Sequence, residues 1–416
     1  MVLINYKARK LICKIDRRLS ILYKFPSICY NVPYYVVQEI KMSDSTKYTM
    51  LWVGIVLVVF ALTVTGVVYM YRVCAKLGFV KKLSKDSKIV RRFLPLAIEG
   101  VFFLIWSLVF TTINSVIIFI HVTIFRALMD LAGFLIRKIS GKEFKPDLRT
   151  LSALLITAVY LAIGYFLAHN VTAIRYDLHT DKDIGGKLRV VMFADSHLST
   201  TFEGKDFQKH VDAINAEKPD IVLIAGDFTD GYSKKKDMID ACKALSSIKA
   251  KYGVYFAYGN HDRQHYGKPE EMFTDEELQT ELKRNGVHIL VDGSELIDDR
   301  FYIVGRDDKI NEDRLSAEDI VKDLDDDKYI IVMDHQPADY DNEARTKADL
   351  VVSGHTHGGQ FFPVTHFSFL ITINDRFYGH EKREGTDFIV TSGISDWNLM
   401  FKTGTQSEYV VIDIDK

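Results

Sequence analysis

Two imidazoles stand two residues apart in the stretch Ser353-Gly354-His355-Thr356-His357-Gly358-Gly359-Gln360, with glycines on both sides. A strand-like run, Asp349 to Val352, precedes them, so both fall where a strand ends and where glycine lets a ligand approach the backbone closely. The chemistry such a pair offers is metal ligation. A His-x-His pair is as often a surface pair or a hydrogen-bonded core feature, so the rest of the chain has to decide. Four other clusters share the placement: Phe193-Ala194-Asp195-Ser196-His197, Ala225-Gly226-Asp227-Phe228-Thr229-Asp230-Gly231, Tyr258-Gly259-Asn260-His261-Asp262 and Met333-Asp334-His335-Gln336-Pro337 each close a β-rich run. Alone, Gly-Asp and Asp-Gly are ordinary turns and Asn-His-Asp an ordinary loop. Five such clusters at C-terminal strand ends offer oxygen and imidazole ligands in numbers sufficient for two metal ions.

The elements that must position them read as short strands rich in Val, Ile, Phe and Tyr. These are Lys187 to Ala194, Asp220 to Ala225, Tyr252 to Tyr258, Phe301 to Gly305, Tyr329 to Met333, Asp349 to Val352, Asp387 to Thr391 and Tyr409 to Ile414. Helical periodicity marks Gly204 to Glu217, Lys234 to Ala250 and Thr274 to Asn285, the last with a Thr274/Glu277 capping box and a stop at Gly286. The pattern predicts a mixed α/β domain over residues 171–416 whose strand ends carry the chemistry.

The first half is of another kind. Residues 1–170 carry 23 Lys and Arg against 8 Asp and Glu, net +15, whereas residues 171–416 carry 30 against 47, net −17. The basic charge lies between apolar spans and reads as membrane-flanking, and an acidic domain repels phosphate backbones, so no nucleic-acid partner is expected. The cysteines Cys13, Cys29, Cys74 and Cys242 are scattered and predict neither a disulfide framework nor a thiolate metal site. Residues 48–170 read as a transmembrane region. Met50 to Tyr71 is uncharged and long enough to cross the bilayer. Phe93 to Phe125 carries only Glu99 and reads most simply as one helix from about Val101 to Ile124, a hairpin being the alternative without a Pro or Gly turn to mark it. Arg126 to Ile139 reads as an amphipathic or membrane-associated stretch, and Leu151 to Ala168 as a further span. Three spans are expected, four being the alternative. Glu99 and His121 fall near span ends and are expected to be structural. With three spans and the N-terminus inside, the acidic domain is extracytoplasmic, although the basic Arg72 to Arg92 loop would then lie outside; four spans would reverse the last step. The basic segment 1–47 lacks a signal-peptide pattern, and Met42 would serve as a natural start, so residues up to 41 read either as an extension or as an interfacial arm.

The order D-x-H, GD-x-x-D, GNHD, H and GHTH resembles the calcineurin-like metallophosphoesterase superfamily. GHTHGGQ together with the apolar spans is similar to its membrane-attached bacterial branch. The resemblance covers Lys187 to the end and implies a four-layer α/β/β/α sandwich with two metals at the strand ends. It implies that Asp195, His197 and His357 bind one metal, that Asn260, His335 and His355 bind the other, and that Asp227 bridges them. It further implies that His261 sits beside the scissile phosphate, oriented by Asp262. Where members of the branch have a glycine-rich segment ending in Arg, this chain has Ser392-Gly393-Ile394-Ser395-Asp396-Trp397-Asn398 followed by Lys402, a departure that bears on substrate identity.

Such a site hydrolyses phosphoesters, because two divalent cations cancel the charge of the anionic ester and generate a bound hydroxide for in-line attack. Mixed oxygen and nitrogen ligands without thiolate suit Mn, Fe, Zn or Co. Asp230 is expected to support the turn after Asp227. His179, His210, His265, His288, His366 and His380 lie outside the motifs and read as solvated or structural, His265 being the one near enough for substrate contact. Membrane attachment points to a phosphodiester or pyrophosphate on a lipid or envelope-linked substrate. UDP-2,3-diacylglucosamine hydrolysis, which needs a cytosolic site, is the alternative, and an inactive metal-binding scaffold or a transporter are readings of another class. A transporter has little support without paired polar residues or broken helices in the spans.

Overall fold

Apolar length dictates the first half of the molecule. The computed structural model describes residues 44–263, 271–362 and 374–416, so the reading of residues 1–41 as an extension, and His265 and His366, lie outside the described residues. Of the described residues, those up to Ile55 fall in one unit and those from Val56 in a second, described below. Helix α1 (Asp44–Cys74) is followed by a short α2 (Gly78–Leu83), then by α3 (Lys88–Val109), α4 (Thr112–Ser140) and α5 (Pro146–His169). Val56–Cys74, α3, α4 and α5 are each long and apolar enough to cross a membrane.

The run Phe93 to Phe125, expected as one helix, is two. Phe110 leaves the helix at φ −112°, ψ −118°. Thr111 then caps α4, its Oγ1 accepting from the backbone N–H and side-chain amide of Asn114 at 3.3 and 2.8 Å. Phe103 packs on Phe119 with ring centroids 4.7 Å apart, and Ser107 and Ser115 touch through their hydroxyls at 3.3 Å. The two helices are therefore an antiparallel hairpin. Helix α5 returns along α4 in the same way, with His121 against Tyr160 and Arg126 Nε donating to Thr150 Oγ1 at 3.0 Å. Arg126 to Ile139, expected as a separate stretch, is the second half of α4, where Asp130 pairs with Arg126 and Arg149.

The α/β part is built on two six-stranded sheets. The first contains β1 (Thr172–His179), β2 (Leu188–Phe193), β3 (Ile221–Ala225), β4 (Val254–Ala257), β5 (Val287–Ile289) and β12 (Glu408–Asp415), in the order β1-β12-β2-β3-β4-β5. The second contains β6 (Gly293–Ile297), β7 (Phe301–Gly305), β8 (Tyr329–Met333), β9 (Leu350–Ser353), β10 (Gly379–Arg383) and β11 (Thr386–Val390), in the order β10-β11-β9-β8-β7-β6. Strands β2 to β5 are parallel, as are β7, β8, β9 and β11.

Period-two alternation makes the layers. Val190 and Met192 of β2, with Leu223 of β3, meet Ile303, Ile331 and Val352 of the second sheet in one buried cluster. The opposite faces, Val191, Phe193, Val222 and Ile224, pack on α6 (Gln208–Ala216), α7 (Lys235–Leu245) and α8 (Asp275–Arg284). The outer face of the second sheet packs on α9 (Ala317–Val321) and Tyr340 of α10 (Tyr340–Glu343). The result is a four-layer α/β/β/α sandwich. A slip of one residue in β2 would turn the inter-sheet set outward, so register is fixed by burial on both faces. Thr274 and Glu277 form the expected capping box at the start of α8.

Candidate metal centre

Every cluster singled out in the sequence follows a central strand. Asp195 and His197 come after β2, Asp227 after β3, Asn260 and His261 after β4, His335 after β8, and His355 and His357 after β9. The parallel run of these strands brings their C-terminal ends to one edge of the sandwich. To turn the side chains inward the backbone adopts positive φ at five non-glycine positions: Asp195 (55°), His197 (37°), Asp227 (51°), His355 (71°) and His357 (48°). Each such position is unfavourable for an L-residue, and a concentration of them at one edge marks a site held in place by its surroundings. Glycine is required where loops touch. A Cβ on Gly259 would stand 2.2 Å from Asp227 Oδ1 and 2.4 Å from its backbone nitrogen.

The candidate ligand atoms fall into two groups, Asp195 with His197 and His357, and Asp227 with His335 and His355, each within 4.8 Å of one another. Asp227 Oδ2 lies 3.0 Å from His335 Nε2 in one group and 3.6 Å from His197 Nε2 in the other. His197 Nε2 also faces Asp195 Oδ1 at 3.9 Å, and His357 Nε2 faces the same oxygen at 3.7 Å. Asn260 Oδ1 meets His355 Nδ1 at 2.8 Å. The residues fit a pair of cations. His197 is wholly buried, and its Nε2 has no hydrogen-bond partner while it points at two carboxylates. An orphaned imidazole nitrogen among carboxylates is costly unless a cation completes it. Ligand atoms 3 to 4 Å apart match metal bonds of about 2 Å to each.

The neighbours orient these ligands. His335 Nδ1 meets the Ala225 carbonyl at 2.8 Å, which turns Nε2 toward Asp227. Asp230, read from the sequence as support for a turn, does that through Ser233 and Tyr232 and also meets His197 Nδ1 at 3.1 Å. The His355 backbone N–H donates to both oxygens of Asp195 at 2.9 and 3.0 Å.

His261 stands at the open side of the site, its side chain 22% exposed, with its ring 5.1 Å from that of His197 and its N–H donating to Asp227 Oδ1 at 2.8 Å. Burial outweighs the nearby carboxylates and lowers its pKa. Asp262 does not serve as the expected partner of that ring. Its oxygens accept the backbone N–H groups of Asp227, Gly259 and Thr229 at 2.8 Å each. The carboxylate near the ring is Asp230, 3.9 Å from His261 Nδ1. Three backbone donors converging on one buried carboxylate decide the matter, a feature that spacing does not reveal. Trp397, in the segment read from the sequence as bearing on substrate identity, brings its ring 5.8 Å from that of His261, a contact the sequence did not single out. Its distance along the chain leaves no local signal.

Residues 188–359 match the family model of calcineurin-like phosphoesterases. A transmembrane protein with a metallophosphoesterase domain from Danio rerio is 30% identical over 70% of this chain and 69% of its own length. The chain belongs to the calcineurin-like metallophosphoesterase family. Its residues 188–359 thus form a metal-dependent phosphoester hydrolase domain. A putative metallophosphoesterase of Caenorhabditis elegans is 25% identical over 73% of this chain and 66% of that protein, and an uncharacterized metallophosphoesterase of Campylobacter jejuni is 32% identical over 55% and 59%. This metallophosphoesterase therefore spans 59–69% of the length of these three relatives, which come from bacteria and animals alike.

Proposed function

We propose that this metallophosphoesterase is a membrane-anchored hydrolase that uses two divalent cations to cleave a phosphodiester or pyrophosphate carried by a lipid. The observation that carries the lipid part is the continuity between ligand loop and membrane helices. Three residues separate His357 from Phe361, and Phe361 packs on His121 of α4 at 5.7 Å. It joins Phe401, Met400, Met70, Phe119 and Leu161 in one apolar cluster on the membrane helices. A phosphoester held beside this cluster would have apolar helix surface next to its alkyl part, an arrangement that an exclusively soluble substrate does not need.

Asp195, His197 and His357 would hold one cation, Asn260, His335 and His355 the other, and Asp227 both. When bound, the pair supplies charge neutralisation and an activated water, in a soluble half whose net charge of −17 would otherwise repel a phosphate. His261 reaches the substrate from the open side and, as the neutral ring its burial favours, would donate an N–H hydrogen bond to an oxygen of the scissile phosphate.

The helices also favour one sidedness. Gly78 of α2 donates its N–H to Asp147 at the start of α5 at 3.0 Å, so the basic loops 72–92 and 137–149 lie at the same end. The other end, at Thr111 and His169, joins the α/β domain. Four antiparallel spans with both basic loops inside put the catalytic domain outside, which removes the conflict over the Arg72 to Arg92 loop and moves it to the basic segment that precedes α1. A cytosolic UDP-2,3-diacylglucosamine hydrolase is disfavoured by the same count.

The test uses the full chain in mixed micelles loaded with Mn2+. Release of a headgroup from a phospholipid diester faster than hydrolysis of a short-chain soluble analogue supports the reading. Equal rates on both, with Phe361→Ser without effect, would remove the lipid from it, and metal uptake without any hydrolysis would leave the scaffold reading.

A further inference from the structure

The segment after β11 holds a buried ion pair that the metal ligands alone do not explain. Lys402 Nζ lies 2.9 Å from Asp396 Oδ1, and neither side chain has any exposure. The ammonium also donates to the Ser392 carbonyl at 2.8 Å and to Ser407 Oγ at 3.3 Å, so its place is set from several directions. The same Asp396 oxygen lies 3.7 Å from Nδ1 of His357, whose Nε2 faces Asp195 Oδ1 at 3.7 Å. The imidazole is thus flanked by a carboxylate on each side, one within the ligand group and one behind it. The backbone here is stitched to the other ligand loop. Ile394 and Ser395 donate to the carbonyls of Ala194 and Asp195 at 3.0 and 3.2 Å. A buried pair of this kind adds little to stability over an apolar replacement, so its use lies in what it orients. A carboxylate behind a histidine fixes the tautomer and direction of the ring that meets a metal.

We propose that Asp396, fixed by the buried ammonium of Lys402, is the positioning residue of His357, directing its Nε2 at the cation shared with Asp195 and His197. The proposal rests on the two-cation reading above and concerns one of the two sites. It also ties that site to the membrane helices. Lys402 donates its backbone N–H to the Gly164 carbonyl at 3.0 Å, and Met400 donates to Asn114 Oδ1 at 3.0 Å, so the segment carrying the pair is anchored on α5 and α4.

The experiment is a Mn2+ titration of the metal-stripped full chain in detergent, followed by electron paramagnetic resonance, with thermal melting alongside. Wild type should develop the signal of a spin-coupled pair. Removing Asp396 alone leaves Lys402 buried without its charge partner, so two variants are compared: Asp396→Asn, which keeps shape, and Asp396→Asn with Lys402→Met, which removes both charges. Both should show the six-line signal of isolated Mn2+ at concentrations where wild type is coupled, with affinity for one ion weakened about 10- to 100-fold. The melting temperature of the double variant should stay near that of wild type. Coupled signal at wild-type concentrations in the double variant would overturn the proposal and leave the two-cation reading intact. No coupled signal in wild type would overturn both, and His197→Ala supplies the reference spectrum of a chain lacking that site.

Discussion

The carboxylate of Asp262 accepts the backbone N–H of Asp227 at 2.8 Å, and with its bonds to Gly259 and Thr229 it clasps the loops after β3 and β4 together. Asp262→Ala leaves these buried donors unpaired. The cost should be about 3 kcal/mol or more, since each orphaned group is worth roughly 1–3 kcal/mol. At about 2–4 °C per kcal/mol for a domain of this size, thermal melting should fall by about 6–12 °C. Unchanged melting with reduced turnover would instead assign Asp262 to His261.

Gly259→Ala tests the close approach of the same two loops. The added methyl would stand 2.2 Å from Asp227 Oδ1, so either the loop or the carboxylate must move. A displacement of about 1 Å at a reacting centre lowers turnover by about 100-fold. The expected result is that loss, together with weaker metal uptake by calorimetry; full turnover would show that the loops have room to spare.

Asn114 is the joint between membrane helix and catalytic domain. Fully buried at the start of α4, it donates through Nδ2 to the Asn398 carbonyl at 3.2 Å and accepts from the Met400 N–H at 3.0 Å. Asn114→Leu should expose residues 397–403 to faster amide exchange, with a stability loss of about 1–3 kcal/mol from the unpaired groups. Exchange equal to wild type would mean that the joint is carried by its apolar contacts alone.

His210 gives the domain a pH dependence of its own. It is buried beside the rings of Phe202 and Phe207, and that burial first, with Lys209 adding to it, lowers its pKa to about 4. The neutral ring is the one the fold accepts, so its contribution is complete above about pH 6.5, the unfolded value, and is lost as pH falls toward 4. The lost stability is about 3 kcal/mol, and His210→Leu should melt with a correspondingly flatter dependence between pH 6.5 and 4. Parallel curves for the two proteins would contradict this.

How much of the fold was legible follows from burial. Strands β2, β3, β4, β7, β8, β9, β11 and β12 have apolar runs and were read to within a few residues of their ends. The strands that were not read, β1, β5, β6 and β10, are the four edges of the two sheets. An edge strand with one open side needs no apolar run, and Gly379–Arg383 is four-fifths polar or charged by sequence, GHEKR. The α3–α4 turn, read only as the alternative, was weakly marked for a related reason: its cap is Thr111 and Asn114, polar residues inside an otherwise apolar run, where glycine or proline would have been the louder sign. The side chains that the fold brings together after β2, β3, β4, β8 and β9 could be named because each follows a readable strand. The roles of Asp262, Asp396 and Trp397 could not, since they depend on contacts between loops far apart in the chain.

The most direct test of the two-cation account is a comparison of wild type with Asp227→Asn, the residue that faces both ligand groups. The full chain in detergent is stripped of metal and titrated with Mn2+, while hydrolysis of bis-p-nitrophenyl phosphate is followed. The account expects two ions per wild-type chain, and in Asp227→Asn loss of at least one of them with turnover lower by on the order of 100-fold or more. Wild-type turnover in Asp227→Asn, or full wild-type activity with a single bound ion, would contradict it.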